Sequence, residues 1–188
     1  IAELARLAHG AGAMFMTDVV TSLAGCELEF DAWDLDYAYS GSQKCLAAPP
    51  GISPVVLSER ALDYIRGRSV LPTSWYLDLS LIADYWGRDH VAHHTAPVSM
   101  IYGLREAVGM ALNEGLETRW KRHETNASAL RAGLTALNLE LPVAESDWLD
   151  QLTLVKMRGG VDDAKLRTQL LDEYSIEVGR GLGKFAGE

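Results

Sequence analysis

Short apolar segments that end in polar residues alternate with helix-like segments along the first half of this sequence. The segment AGAMFMTDVV contains a strand-like apolar run that ends at Asp18, and ELEFDAWDLDYAYSGS leads into a second strand from Tyr37 to Ser40. The segment ISPVVLSERAL is typical of a third strand that runs into a helix. This alternation restricts the fold strongly, because it predicts an α/β protein in which helices cover a sheet.

Helical periodicity predicts further helices at the start of the chain, in YLDLSLIADYWG and from Met100 to Leu137, with a break at Gly115. In the last third, LTLVKMR, DDAKLRTQLLDEY and IEVGRGLG predict strand, helix and strand in that order. This change of pattern predicts a second, smaller α/β domain. We therefore place the domain boundary at Gly115, with residues 1–115 in the first domain and 116–188 in the second.

Composition excludes several classes of protein. The chain has 188 residues, of which 48% are hydrophobic, so it is long and apolar enough to bury a core. Its formal net charge of −9, with no run of Lys and Arg, argues against nucleic acid as a partner. No apolar stretch is long enough to cross a membrane, and two cysteines suit a reducing compartment. We expect a soluble intracellular protein, cytoplasmic if its source is bacterial.

The first and last residues suggest that the chain is part of something longer. It begins with Ile1, directly in helical sequence, and stops at GLGKFAGE without a closing element. We expect a fragment of a larger protein.

Two residues whose side chains can take part in a reaction follow the first two predicted strands. Asp18 ends the first strand, and Lys44 follows the second in SGSQKCLAAPPG, where small residues and a double proline surround it. Ligands of open α/β sheets bind beyond the carboxyl ends of the strands, so we expect both side chains in one crevice. A lysine amine that loses its proton can form a Schiff base with a carbonyl. A carboxylate suits the same site if it holds a proton on a heteroaromatic nitrogen, as in enzymes that bind pyridoxal phosphate.

Each of these residues also has a simpler interpretation. Composition alone favours an exposed loop position for Lys44. Asp18 is of a residue type that favours the N-cap of a helix, which here would start at Val19. The imidazoles of His90, His93 and His94 raise the question of zinc, but no Cys or carboxylate completes a familiar spacing, so we expect no metal.

The motifs TDVV, SGSQK and HHTAPV carry a resemblance to a known family. The stretch from Thr17 to Ser58, and again from His93 to Leu116, closely resembles the alanine–glyoxylate and serine–pyruvate aminotransferases, which are class V aminotransferases of fold type I. The resemblance implies that residues 1–115 belong to the large domain, with its sheet, that binds pyridoxal phosphate. It also implies that residues 116–188 belong to the small domain.

The same resemblance assigns roles to residues around the first motif pair. It implies that Lys44 forms the Schiff base with the cofactor and then moves the proton of the substrate α-carbon. Asp18 matches the partner of the pyridine nitrogen, and Val20 matches an apolar residue that packs on one face of the ring. Gln43 matches a ligand of the cofactor phosphate.

The HHT motif implies a dimer and also shows a departure from the family. Thr95 matches a residue that reaches the cofactor phosphate of the neighbouring subunit, so the site requires a homodimer. The family often has tyrosine immediately before HHT, also on the phosphate, whereas this sequence has Ala92. The resemblance further places the glycine-rich phosphate loop and the ring-stacking aromatic residue upstream of Ile1. It places the arginine that binds the substrate carboxylate downstream of Glu188, and we expect the 188 residues alone to be inactive.

The implied activity is the transfer of an amino group from alanine or serine to glyoxylate or pyruvate. A related reading is another class V enzyme, namely a pyridoxamine–pyruvate or phosphoserine aminotransferase or a cysteine desulfurase. A desulfurase needs a reactive cysteine on a mobile loop, and neither Cys26 nor Cys45 has such a position. A more distant alternative is a domain that keeps the fold but has lost catalysis.

Overall fold

The computed structural model describes residues 1–88 and 90–185 and divides the chain into two compact units, Ile1–Lys121 and Arg122–Glu188. The first unit contains a three-stranded sheet in the order β1-β2-β3. The boundary between the two units falls within helix α5 (Leu116–Ala136). The strands are β1 (Met16–Asp18), β2 (Tyr37–Tyr39) and β3 (Val55–Leu57), and the helices are α1 (Ala2–Gly10), α2 (Glu59–Arg66), α3 (Leu79–Trp86), α4 (Val98–Glu114), α5 (Leu116–Ala136) and α6 (Asp163–Tyr174).

The sheet combines one parallel and one antiparallel pair of strands. β1 runs parallel to β2, with Thr17 opposite Ala38, and β2 runs antiparallel to β3. Thr17 and Ala38 are both buried, whereas Met16 and Asp18 on either side of Thr17 are exposed, as the alternation of side chains along a strand requires. The α/β fold predicted from the sequence is confirmed, and the first two strands end within one residue of the predicted positions.

A buried carboxylate connects two helices to the amino end of β2. Asp36 is only 1% exposed and lies one residue before β2 begins. Its Oδ2 accepts a hydrogen bond from the Phe15 N–H at 2.8 Å and lies 2.8 Å from His9 Nε2 in the last turn of α1. Its Oδ1 accepts hydrogen bonds from Arg60 Nε of α2 at 2.7 Å and from Ser58 Oγ at 3.1 Å. A buried carboxylate with this many donors fixes both helices against the sheet.

Local sequence explains where the helices begin and end. Ser58 is the N-cap of α2 and accepts a hydrogen bond from the Ala61 N–H, and Asp78 caps α3 in the same way through the Ser80 N–H. Gly115 separates α4 from α5 with a φ of +84°, a value that L side chains rarely adopt. The predicted break at Gly115 is therefore confirmed.

The strands predicted in the last third are wrong. The segments 152–158 and 176–183 flank α6 as predicted, but neither is a strand among the residues described there. The extended residues make isolated antiparallel bridges only, between Glu140 and Lys156 and between Leu149 and Leu152. An apolar pattern favours extended backbone, but a strand also needs a neighbour that pairs with it along several residues, and within residues 137–185 the pairing is limited to these isolated bridges.

None of the helices within residues 1–88 and 90–185 combines the length and the apolar composition that crossing a bilayer requires.

Candidate active site

The parallel pairing of β1 and β2 places Asp18 at the carboxyl edge of the sheet. Asp18 and Tyr39 are register partners at the ends of these two strands. Asp18 Oδ1 accepts a hydrogen bond from the Val20 N–H at 2.8 Å, and Oδ2 accepts one from the Tyr39 hydroxyl at 2.8 Å. These bonds orient an exposed carboxylate at the edge where α/β sheets bind ligands.

The hydrogen bonds also keep Asp18 ionised. The Val20 N–H, and after it the Tyr39 hydroxyl, lower the pKa of the Asp18 carboxyl, since both donors favour its charged form and burial opposes them only weakly. Each carboxylate oxygen has two acceptor positions and uses one of them here, so the carboxylate can accept a further donor. The alternative role of Asp18 as the N-cap of a helix from Val19 is wrong, because residues 20–25 form turns rather than a helix.

Lys44 lies in a turn directly after β2, which we call the Lys44 turn (residues 41–48). The Lys44 N–H donates to Gly41 O at 3.3 Å, and Lys44 O accepts from the Ala47 N–H at 2.8 Å. The side chain is exposed, and its amine has no hydrogen bond or ion pair with any residue of 1–88 or 90–185. The exposure is what the simpler interpretation predicts. The hydrogen-bonded main chain, however, fixes the backbone of Lys44 and leaves the amine open to an incoming carbonyl.

Two hydrogen bonds join the Lys44 turn and the residue directly before it, Ser40, to the turn that follows β1. Ser40 Oγ donates to Val19 O at 3.3 Å, and the Cys45 thiol donates to Thr21 O at 3.0 Å. Val20, which is half-buried, lies between these two acceptors in the chain. The structure therefore brings the segments that carry Asp18, Val20 and Lys44 to one edge of the sheet.

Gln43 and Gly41 are close neighbours within the Lys44 turn. A Cβ atom built on Gly41 lies 2.8 Å from Gln43 Oε1, which is closer than real Cβ contacts. Glycine at position 41 thus leaves room for the exposed amide of Gln43 at the start of the turn.

Sequence reasoning missed two residues that hold the Lys44 turn. Ser42 is 1% exposed, and its Oγ donates to Pro49 O at 2.6 Å, across the base of the turn. Arg119 of α5 donates from Nη2 to Cys45 O at 2.7 Å. The small residues before Lys44 were a usable signal for Ser42. No local signal identifies Arg119, because it lies 74 residues from its partner.

The predicted phosphate ligand Thr95 lies apart from this edge in the chain, in the segment that precedes α4. Its hydroxyl is exposed and shares no hydrogen bond with Asp18, Gln43 or Lys44. Thr95 does not begin the helix that follows it, because α4 starts at Val98 with Pro97 as its N-cap and no side chain caps it. Ala92, in the same segment, is also exposed.

The neighbouring imidazoles contact aromatic rings and each other. The ring of His93 stacks on Trp75 with centroids 4.1 Å apart, and its Nε2–H donates to Trp75 O at 3.1 Å. His93 Nδ1 lies 2.9 Å from His94 Nδ1, and the His94 ring packs against Tyr85. Within residues 1–88 and 90–185, no group of three His, Cys, Asp or Glu side chains is arranged to hold a metal ion.

Comparison with known proteins gives one consistent result. The family model for class-V aminotransferases matches residues 1–183. The (S)-ureidoglycine–glyoxylate transaminase of Bacillus subtilis is 37% identical over 94% of this chain and 47% of its own length. The alanine–glyoxylate aminotransferase of Drosophila melanogaster is 37% identical over 97% of this chain and 48% of its own length.

A solved structure agrees with these sequence matches. The crystal structure of an alanine–glyoxylate aminotransferase from Nostoc superposes with a TM-score of 0.93 at 42% identity, over 98% of this chain and 49% of that one. The chain thus spans about half the length of the relatives that it matches.

Proposed function

The chain belongs to the class-V aminotransferase family, and we propose that the protein containing it transfers an amino group from alanine or serine to glyoxylate or pyruvate. The observation that carries this proposal is the pair formed by an ionised Asp18 and an open Lys44 amine at one sheet edge. All three relatives described above are named for glyoxylate, whereas their amino donors differ. We therefore propose glyoxylate as the preferred acceptor.

The side chains at this edge suit pyridoxal phosphate as the cofactor. The cofactor has an aldehyde, a pyridine nitrogen and a phosphate, and the edge offers an amine, a carboxylate and an amide. Asp18 retains an acceptor position for a protonated ring nitrogen. The Lys44 amine is the group that bonds covalently to the aldehyde carbon. The Gln43 amide supplies a donor for the phosphate, and Val20 supplies an apolar side chain for one face of the ring.

The chain's own residues then divide the work of the reaction. Pyridoxal phosphate, when bound, supplies an electron sink for bond breaking at the substrate α-carbon. Asp18 holds a proton on the ring nitrogen, which its lowered pKa favours. With the cofactor bound, the Lys44 amine, freed by the amino group of the substrate, would accept the proton of the α-carbon and deliver it to the cofactor carbon that carried the aldehyde.

We also propose a homodimer in which Thr95 reaches the cofactor phosphate of the neighbouring subunit. The hydroxyl of Thr95 is exposed and without a partner among residues 1–88 and 90–185, so it is available to another chain. Val98 and Tyr102 of α4, directly after it, are 56% and 65% exposed. Large apolar side chains at this level of exposure suit a surface that a partner covers.

The cysteine desulfurase alternative has little support from the thiols. Burial raises the pKa of the Cys45 thiol, although the Arg119 guanidinium partly opposes this effect. A thiol with a raised pKa stays protonated at neutral pH, and only the thiolate is a good nucleophile. The Cys45 thiol also donates its proton to Thr21 O.

The test uses the full-length protein with added pyridoxal phosphate. We expect alanine and glyoxylate to yield pyruvate and glycine, and we expect borohydride to attach the cofactor to Lys44 irreversibly, as mass spectrometry of the tryptic peptide measures. Lys44→Ala is expected to abolish both signals. Covalent labelling of wild type without pyruvate release would favour another class V enzyme, and sulfide release from cysteine would favour a desulfurase. A folded full-length protein that does not bind the cofactor would contradict the proposal.

A further inference from the structure

Hydrogen bonds between neighbouring residues determine the shape of the Lys44 turn. Contacts with residues distant in the sequence determine its position. The bonds of Lys44 N–H to Gly41 O and of Ala47 N–H to Lys44 O determine the shape of the turn. The position of the turn depends on contacts with other segments, since the Lys44 side chain makes no hydrogen bond or ion pair with residues 1–88 or 90–185. Cys45, the next residue, supplies two such contacts, with its thiol on Thr21 O and its carbonyl on Arg119.

Arg119 is well placed to hold this carbonyl. It lies in the first turn of α5, where its N–H donates to Gly115 O at 2.9 Å. Nη1 donates to Glu114 Oε2 at 2.9 Å, while Nη2 donates to Cys45 O at 2.7 Å. The side chains of Arg119 and Glu114 are only 13% and 25% exposed, so water screens this contact little.

The chemistry of the guanidinium makes the contact directional. Its planar group presents several N–H donors in a fixed geometry, so pairing with Glu114 at Nη1 also determines where Nη2 points. A hydrogen bond from a charged donor is shorter and stronger than one between neutral groups. Lysine provides one flexible ammonium group and does not reproduce both bonds in the same orientation.

We propose that Arg119 is a positioning residue for Lys44. Fixed by Glu114, its guanidinium holds the Cys45 carbonyl, and this contact keeps the main chain that carries the Lys44 amine at the carboxyl edge of the sheet. This inference rests on the proposed function for the role of Lys44, but the anchoring itself does not require a cofactor.

The experiment compares Arg119→Lys with a matched control in the full-length protein. Arg131, twelve positions further along α5, also donates to a main-chain carbonyl, that of Leu149 at 2.8 Å, and pairs with Asp150 at 3.1 Å. Arg131→Lys thus removes the same type of contact from residues 149 and 150 and removes none of the hydrogen bonds described for the Lys44 turn. Arg119→Gln is the second variant, in case Arg119→Lys does not fold.

Two measurements are made on each variant. Hydrogen exchange of the amides of residues 41–48, without cofactor, reports the anchoring of the turn. Titration with pyridoxal phosphate, followed by borohydride and mass spectrometry, reports covalent occupancy of Lys44. For Arg119→Lys we expect exchange about tenfold faster and cofactor affinity about tenfold weaker, in line with the loss of a hydrogen bond to a charged group. The kcat is expected to fall more than the KM for the amino donor changes.

Specific outcomes overturn the inference. Unchanged exchange in residues 41–48 of either folded Arg119 variant means that Arg119 does not anchor the turn. Equal effects of Arg131→Lys on exchange and on occupancy of Lys44 mean that the effect is one of general stability. If wild type does not bind the cofactor, the proposed function fails, while the exchange comparison still decides whether Arg119 positions the turn.

Discussion

The hydroxyl of Tyr39 donates a hydrogen bond to Asp18 Oδ2 at 2.8 Å, and the two residues are register partners at the ends of parallel strands. The contact changes the pKa of both groups. It contributes to the lowered pKa of the Asp18 carboxyl, and it raises the pKa of the Tyr39 hydroxyl. Strand pairing thus contributes directly to the ionisation of the candidate cofactor ligand.

Tyr39→Phe is expected to raise the pKa of Asp18 toward its ordinary value, because the carboxylate loses one donor to its charged form. The pKa stays below the ordinary value, since the Val20 N–H remains. Titration of the Asp18 carboxyl carbon by NMR in cofactor-free protein measures the change. Tyr37→Phe is the control, because Tyr37 lies two residues earlier on β2 and does not bond to Asp18. An equal shift in both variants would contradict the assignment.

Asp36→Asn is expected to destabilise the protein by about 2 kcal/mol at pH 7, because it removes a buried charge that several donors require. Burial raises the pKa of Asp36, but the hydrogen bonds from Phe15, His9, Arg60 and Ser58 together outweigh it, and the pKa is lowered. The folded-state pKa is therefore below the unfolded value of about 3.9. The stabilisation is complete above that value and is lost as the pH falls through the folded-state pKa.

Urea unfolding of wild type and Asp36→Asn between pH 7 and pH 2 measures this dependence. The difference in unfolding free energy is expected to shrink toward the acid end. Asp34→Asn is the control, because Asp34 also pairs with Arg60 but its side chain is 68% exposed, and exposed pairs contribute little. A difference that stays constant with pH would show that ionised Asp36 is not the source of the stability.

Ser42→Ala is expected to cost about 1 to 2 kcal/mol of stability, because the Pro49 carbonyl loses its buried donor. This hydrogen bond spans the base of the Lys44 turn, so the amides of residues 41–48 are expected to exchange faster as well. Chemical denaturation and hydrogen exchange measure the two effects. Ser99→Ala, an exposed position on α4, is expected to change neither. Exchange as slow as in wild type would show that the turn holds without Ser42.

Ala92→Tyr is expected to strengthen the binding of pyridoxal phosphate to the full-length protein about tenfold, because the family resemblance implies a tyrosine hydroxyl at this position that donates to the charged phosphate. Position 92 is exposed, so the larger side chain displaces no core residue. Titration with pyridoxal, which lacks the phosphate, is the control and is expected to give equal affinities for the variant and wild type. A gain for both compounds would place the new hydroxyl away from the phosphate.

The elements found from sequence were those set by local pattern. Apolar runs located the ends of β1 and β2 within a residue, and Gly115 marks the break between two helices in the sequence itself. The same reasoning failed for segments 152–158 and 176–183, because their apolar pattern carries no information about a pairing partner. It also missed the role of Asp36, because its hydrogen-bond donors, such as Phe15 and Arg60, lie more than 20 positions away in the sequence.

The sequence by itself determined the order of helices and strands in the first 115 residues, the family motifs and the residue types at the candidate site. Only the tertiary structure decided that Tyr39 lies beside Asp18 and that Arg119 holds the carbonyl next to Lys44. Helix and turn preferences depend on neighbours a few positions away, so they can be read from a short window of sequence. Strand register and buried ion pairs depend on residues far apart in the chain, and these meet only when burial of the core brings their segments together.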